Sequence, residues 1–406
     1  IGGTWSFYPR KYQKWFVLRC FQACNKHKAS QISNFQFPIS KQIPNPKFQK
    51  SKFLEKEQKK NERAKHRIIG ITIETRPDFI NIKEIKRLRE LGVTRVELGV
   101  QSIYDDVLKL NKRGHLIKET IKATKLLKDA GFKVSYQIMP NLPGSSFKKD
   151  IEMFKKLFSS PDFQPDLLKI YPLDLVKQAP LYKWYKQKKF KPYSKRKLIK
   201  LLLEIKKQIP YYVRIERIIR DIPAEDIIAG GVKTSNLREI VQENLTKLSY
   251  KCKCIRCREV KDLPSPRLRQ GKEITLFRQE YEASGGKEIF LSFENKNRTK
   301  LYALLRLRVS GEDGPSRILP VLKNSAIIRE IHTYGQMIQI SESIGPSSAL
   351  AAQHKGLGKK LMEQAEKIAK QEFDLNKISV IAGIGVRGYY RKLGYHLENT
   401  YMVKKI

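Results

Sequence analysis

Three of the chain's five cysteines, Cys252, Cys254 and Cys257, crowd into one short stretch. An odd total with this clustering is poor disulfide arithmetic; it fits a reducing compartment such as the cytosol, and thiolates that close suit a metal. Tetrahedral Zn2+ stabilising a small linker is one reading, and free thiols are the other. No fourth ligand is evident in the sequence, and His332 is only a guess. Cys20 and Cys24 fall on a helix-like segment and read as buried cysteines.

A second constellation is Gln353-His354-Lys355-Gly356-Leu357-Gly358, which runs directly into a helical stretch from Lys359 to Glu372. Two glycines one residue apart at a helix start leave backbone N–H groups free to approach an anion, and the helix dipole favours pyrophosphate there. Alone, such a pair reads as an ordinary tight turn. The flanks strengthen it: Arg329-Glu330-Ile331-His332 lies on a strand before it. After the next strand comes Gly385-Val386-Arg387-Gly388-Tyr389-Tyr390-Arg391-Lys392-Leu393-Gly394-Tyr395. A third set comprises Gly2-Gly3-Thr4, Glu74-Thr75-Arg76-Pro77-Asp78, Glu97-Leu98-Gly99-Val100-Gln101-Ser102 and Met139-Pro140-Asn141-Leu142-Pro143-Gly144. Each reads as a strand end, and in parallel β/α folds ligand groups collect where the strands end.

These motifs need a scaffold, and 406 residues suffice for two or three domains. From about residue 68 to 175, β-rich runs (Ile68–Glu74, Arg95–Val100, Lys133–Met139, Leu167–Tyr171) alternate with helical ones such as Ile82–Leu91 and Ile117–Ala130. That is the βαβ pattern of a parallel sheet, with the helix-like Tyr12–Cys24 as a further unit at the front. Residues 41–67 read as a solvated loop or exposed helix. Past Leu263-Pro264-Ser265-Pro266 the pattern becomes a meander (Glu288–Phe293, Leu301–Val309, Ile327–Ile340), then one helix from Gly356, a strand Ile378–Ala382 and a short end. The expected domains are 1–248, a cysteine-rich linker 249–268, and 269–406.

Charge points to the partner. There are 82 Lys and Arg against 40 Asp and Glu, a net +42, far beyond what solubility needs. A polyanion is implied, nucleic acid first, because each neutralised phosphate releases counterions. Two segments, 183–200 and 210–220, interleave cations with Trp184, Tyr185, Phe190, Tyr193, Tyr211 and Tyr212, a pattern suited to phosphate contact with base stacking. The candidate RNA-binding residues are Tyr211, Tyr212, Arg214, Arg217 and Arg220. No apolar run reaches the roughly 18 residues of a membrane helix, so no membrane partner is expected. The chain opens Ile1-Gly2-Gly3-Thr4 without Met, like a strand end met in mid-fold, and reads as a fragment lacking its N-terminus.

The glycine loop, its helix and the following tyrosines resemble the GNAT acetyltransferases. That resemblance assigns acetyl-CoA to Gln353, His354, Lys355, Gly356, Leu357, Gly358 and Lys359. It makes Tyr390, with Tyr389 as runner-up, the proton donor to the CoA thiolate or the group that positions water; a phenol of pKa near 10 suits donation to a thiolate. His354 would line the same mouth. The strand-end motifs resemble radical S-adenosylmethionine (SAM) enzymes, which assigns SAM to Gly2, Gly3, Thr4, Glu74, Arg76, Gln101 and Lys169. Together, through GITIETRPD, VELGVQS, MPNLPG, KCKCIRCREV, REIHTYG, QHKGLG and GVRGYYRKLGY, nearly the whole chain is similar to the Elongator catalytic-subunit family.

The implied fold is α/β: a partial radical SAM (β/α) barrel followed by a GNAT-fold α+β domain. The implied function is carboxymethylation at C5 of the tRNA wobble uridine, with acetyl-CoA, SAM and a [4Fe-4S] cluster. Implied partners are tRNA, Elongator-like subunits or a second copy of the chain. The family's cluster motif, Cys-x3-Cys-x2-Cys, does not occur in this sequence. The expectation is therefore a chain that binds tRNA and acetyl-CoA but lacks the cluster ligands. Protein lysine acetylation is the alternative, although it needs neither the barrel nor the charge; a non-catalytic RNA-binding protein would leave the cofactor loops unexplained.

Overall fold

The structure is a computed structural model that describes residues 4–26, 51–219, 222–230, 236–260, 274–311, 314, 318–335 and 356–406. In its first part the strands β1 (Ile71–Thr75), β2 (Val93–Gln101), β3 (Lys133–Ile138), β4 (Leu167–Ile170), β5 (Asp174–Val176), β6 (Arg214–Arg217) and β7 (Ile227–Gly230) follow one another. Interspersed are α1 (Arg10–Asn25), α2 (Ser51–Asn61), α3 (Ile82–Glu90), α4 (Asp105–Leu110), α5 (Ile117–Asp129), α6 (Phe147–Ser159), α7 (Leu181–Lys186), α8 (Lys195–Gln208), α9 (Leu237–Lys247) and α10 (Ile255–Arg258). Five strands form one all-parallel sheet in the order β1-β2-β3-β4-β6, while β5 and β7 pair apart from it.

Local chemistry sets the helix starts. Asn81, Ser146 and Ser194 each accept from the backbone N–H three residues on, so α3, α6 and α8 begin capped. The strands bury Val96, Leu98, Val134, Tyr136, Ile138 and Leu168 completely. The alternating positions, among them Thr72, Glu74, Arg95, Glu97, Ser135, Gln137 and Lys169, are in register with one another on the opposite face. A parallel sheet is ordinarily apolar on both faces, so one polar face marks a ligand-bearing surface. Residues 41–67 were expected to be solvated. Of these, α2 lies in the described part, and it buries Leu54, Gln58 and Asn61.

The second part is a seven-stranded sheet ordered β13-β14-β12-β11-β10-β9-β8. Its strands are β8 (Ile274–Ala283), β9 (Gly286–Asn295), β10 (Leu301–Ser310), β11 (Ala326–Thr333), β12 (Lys377–Val380), β13 (His396–Glu398) and β14 (Tyr401–Lys405). The helix α11 (Leu357–Phe373) lays Leu361, Met362, Ala365 and Ile368 on one face of this sheet, against Leu305, Ile328 and Val380. The short end expected from sequence holds α12 (Arg387–Arg391) and two strands, and β8 was not anticipated. The expected strand to Ile340 stops at Thr333, and residues 336–340 lie outside the described ones.

The other face of the second sheet packs on the first part. Gly131 follows α5 with φ +82°, and a Cβ there would stand 2.8 Å from Ile327, so only glycine allows this approach. Buried charges line the contact: Arg329 and Glu288 meet Asp166 and Lys128, and Arg308 meets Asp129. The stretch 249–260 is not a free-standing linker. Cys252, Cys254 and Ile255 join the same apolar cluster as Val213 and Ile215, and the Ile255 N–H donates to the Val213 carbonyl at 2.9 Å.

Candidate functional site

At the C-terminal end of the parallel sheet, Thr4 forms a parallel bridge with Glu74 at the free edge of β1, and the Ser6 and Thr75 hydroxyls are 2.7 Å apart. Glu97 on β2 accepts from Lys169 Nζ at 2.5 Å and from Arg95 at 3.4 Å. Arg95 also donates to Glu216 at 2.5 Å, and Ser135 donates to the same carboxylate at 3.3 Å. Tyr171 stands among Lys169, Arg217, Glu97 and Glu74, and burial raises its hydroxyl above the ordinary range. Gln101 closes β2 in a left-handed conformation, φ +67°, and its carbonyl accepts from the Met139 N–H at 2.9 Å. A polar face with carboxylates and cations interleaved suits a zwitterionic ligand.

Of the residues expected here, Thr4, Glu74, Gln101 and Lys169 are at the strand ends. Gly2 and Gly3 lie outside the described residues. Arg76 departs from expectation. Its guanidinium holds both oxygens of Asp78, donates to the Gly114 carbonyl at 3.0 Å, and lies near the Phe7 and Phe79 rings. Its Nε and one terminal nitrogen are engaged with Asp78 and the Gly114 carbonyl. Sequence reading missed Arg95, Glu216 and Tyr171; the period-2 alternation of charge along β2 and β6 was the available signal.

The second constellation lies in the seven-stranded sheet. The only parallel pair in this sheet among the described residues, β11 with β12, holds register for Ala326–Ile328 opposite Ile378–Val380, ending with the Ile381 N–H donating to the Ile328 carbonyl at 3.2 Å. Beyond that point the pairing stops among the described residues, leaving the end of β11 without a described strand on this side. The first turn of α11 faces that end. Gly356 has φ +96° with open space where a Cβ would be, and the unpaired N–H groups of the first turn follow it. A Cβ on Gly358 would lie 3.0 Å from the Tyr389 hydroxyl, 3.7 Å from Thr333 and 3.8 Å from Ile331. Tyr389 thus brings its phenol to the helix start, and burial holds its pKa above the ordinary value.

Burial separates the two candidate tyrosines. Tyr390 is 5% exposed, part of the core beneath α11 and edge-on to Tyr395. Tyr389 is 38% exposed. Adjacent residues on a helix point in different directions, and the exposed one faces the first turn of α11. Leu357 is buried, Lys359 is exposed, and Gln353, His354 and Lys355 lie outside the described residues.

The Sγ atoms of Cys252, Cys254 and Cys257 all lie within 4.8 Å of one another. The Cys257 thiol is pushed down because the other two thiols donate to it, with Lys206 and Arg238 nearby. His332, the candidate fourth ligand, packs against Tyr334 instead, with ring centroids 4.3 Å apart and planes tilted by 45°, and is not in this group. The triad sits beside Val213, just before β6 begins, so it is at the opposite end of the parallel sheet from the strand ends described above. Cys20 and Cys24 are one turn apart on α1, and each is partly exposed, not buried as expected.

The expected RNA-binding residues scatter. Tyr212 is 1% exposed, stacks on Tyr281 at 3.9 Å and donates to Gln164, so it is a core residue and cannot meet RNA. Arg214 donates to Glu259 at 2.5 Å and to Tyr334 at 3.3 Å, where the two sheets meet. Tyr211 lies half-buried under Arg298, 3.7 Å from the ring centroid. Arg217 is exposed at the end of β6, and Arg220 lies outside the described residues.

Comparison with known proteins places these sites in context. Residues 43–157 match the radical SAM superfamily, 165–247 its C-terminal domain, and 349–395 the acetyltransferase (GNAT) family. A tRNA uridine(34) acetyltransferase of Methanocaldococcus infernus is 45% identical over 413 residues, covering all of this chain and 71% of the relative. Human Elongator complex protein 3 is 36% identical over 406 residues, covering all of this chain and 69% of that protein. The solved structure of the archaeal Methanocaldococcus infernus Elp3 with an N-terminal deletion superposes with a TM-score of 0.84 at 44% identity, over all of this chain and 89% of that one.

Proposed function

The chain belongs to the family of tRNA uridine(34) acetyltransferases and Elongator complex protein 3, and we propose that it is an acyltransferase that modifies the wobble uridine of tRNA using acetyl-CoA and SAM. The observation that carries this reading is the pairing, in one chain, of a polar strand-end face with a helix start met by a free phenol. In it, the C-terminal end of the parallel sheet binds SAM. Lys169 meets its carboxylate, Glu74 and Glu97 meet its ammonium and ribose hydroxyls, and Arg95 with Glu216 fixes Glu97. The family's Cys-x3-Cys-x2-Cys cluster motif does not occur in this sequence, so the radical step that would place a carboxymethyl group at C5 is not assigned to these residues. The chain's own part is to bind and orient.

At the second site the N–H groups after Gly356 take the pyrophosphate of acetyl-CoA, since the helix dipole favours an anion there. The pantetheine runs along the end of β11. Tyr389 offers its hydroxyl proton to the sulfur as negative charge develops there. A phenol whose pKa is raised by burial stays protonated and serves as a hydrogen-bond donor to the departing thiolate.

The cysteine triad holds one Zn2+ rather than a cluster. Sulfurs bound to a single tetrahedral ion stand about 3.8 Å apart, compatible with the 4.8 Å limit observed. Its position at the far end of the sheet removes it from SAM. The cytosol and an Elongator-like assembly are the setting that this function implies. The test is equilibrium binding of bulk tRNA across a salt series, beside acetylation of lysine-rich peptides. Tight tRNA binding that weakens steeply with salt supports the reading. Peptide acetylation with no tRNA affinity would favour protein lysine acetylation.

A further inference from the structure

We infer that the segment from Leu181 to Lys200 is a stacking platform on which an unpaired RNA loop is laid down beside the strand-end site. The inference rests on the tRNA reading and adds where, and in what form, the RNA docks. Between Asp174 and Glu204 the chain carries ten Lys or Arg and no Asp or Glu. Lys183, Lys186, Lys188, Lys189 and Lys191 are all exposed, and among the described residues none of them is in an ion pair. A basic stretch that were merely solvated would not need aromatics on its surface. Here Trp184 is 37% exposed, Tyr182 and Tyr185 stack at 6.5 Å, and Lys186 lies 5.8 Å from the Tyr182 ring centroid.

The platform is anchored where the substrate must arrive. Leu181 and Phe190 pack on the small cluster of Val107, Met139, Leu142 and Leu173, and Tyr171 packs on the same cluster. Met139 directly follows β3 and Leu173 follows β4, so these anchors sit at the C-terminal end of the sheet. Gly230 pins the far side: a Cβ there would fall 2.5 Å from the Leu173 carbonyl and 3.2 Å from Pro192. The aromatic rings therefore stand on a fixed base within the rim of the polar face.

Cations alone fit any polyanion. The exposed Trp184 ring adds a preference for bases whose faces are open, and a paired stem hides those faces. The occupant is thus a single-stranded loop, its phosphates on the lysines and one base on Trp184.

Binding of the full chain to two RNA probes tests this. One is a hairpin with the sequence of an anticodon arm, and the other is a blunt duplex of equal length; both are read by fluorescence anisotropy. Trp184→Ala is expected to weaken hairpin binding about tenfold and leave duplex binding unchanged, with Trp184→Phe restoring most of the loss. Lys186→Ala with Lys189→Ala should lower the salt slope for both probes by about two. Hairpin affinity that Trp184→Ala leaves unchanged, with the wild type binding normally, would overturn the platform while sparing the tRNA reading. A wild type that binds neither hairpin nor tRNA would remove both. Trp184 is at the surface, so an unchanged circular dichroism spectrum is expected for its variants.

Discussion

Arg329, on a strand of the second sheet, donates through its two terminal nitrogens to both oxygens of Asp166, at 2.9 and 2.5 Å, just before β4 of the first sheet. Both residues are fully buried. This pair joins the sheet that carries the Tyr389 site to the sheet that carries Lys169, and around it Lys128, Glu288, Arg306 and Arg308 complete a buried ionic cluster. Such a cluster adds little stability over an apolar core, but removing one member leaves buried charge unpaired. Its role is to fix how the two sheets sit.

Asp166→Asn should therefore destabilise the protein by about 3–5 kcal/mol, as buried pairs do when one partner is lost. Denaturant unfolding checks this. Loss of less than about 1 kcal/mol would mean that the cluster is not a close-fitting joint.

The same cluster predicts a dependence on alkaline pH. Lys128 is fully buried and its pKa is pushed from 10.5 to about 8, because desolvation outweighs its attraction to Asp166 and Glu288. Between pH 8 and 10.5 the folded chain gives up this proton while the unfolded chain keeps it. Unfolding then takes up a proton, so this lysine's contribution to stability rises with pH across that window. Lys128→Met should flatten that rise, as read by unfolding at several pH values.

The strands were legible because apolar residues recur at every second position along them, and the helix from Ile82 because its apolar residues recur at helical spacing; the capped starts at Ser146 and Ser194 were not read from the sequence. The ionic joint was not. Arg306, Arg308 and Arg329 alternate along strands as surface charges do, and only their distant partners Asp166, Asp129 and Glu288 explain their burial. Tyr212 misled for the same reason: its neighbours in sequence are cations, but its ring is covered by Tyr281 from another sheet. The choice between Tyr389 and Tyr390 turns on how a five-residue helix is rotated, too short for any periodicity to be read.

Gly358→Ala tests the packing at the helix start. Its new methyl would meet the Tyr389 hydroxyl at 3.0 Å and displace the phenol by a few tenths of an ångström. The expected result is an acetyl-CoA KM raised several-fold with stability within about 0.5 kcal/mol of wild type. An unchanged KM would separate Tyr389 from the acetyl-CoA site.

Metal analysis tests the triad. Freshly purified protein is expected to carry zinc at about one per chain on these thiols, and Cys257→Ser should lose it together with several degrees of Tm. Wild-type protein free of zinc would dismiss the ion.

The most direct test of two sites working on one substrate pair is release of CoA thiol from acetyl-CoA, with and without bulk tRNA, in wild type and Tyr389→Phe. The predicted result is turnover that tRNA stimulates and that the phenylalanine variant loses, while Tyr390→Phe keeps most of it. Turnover indifferent to tRNA but raised by lysine-rich peptides would contradict the account, because the acetyl-CoA site would then be serving protein.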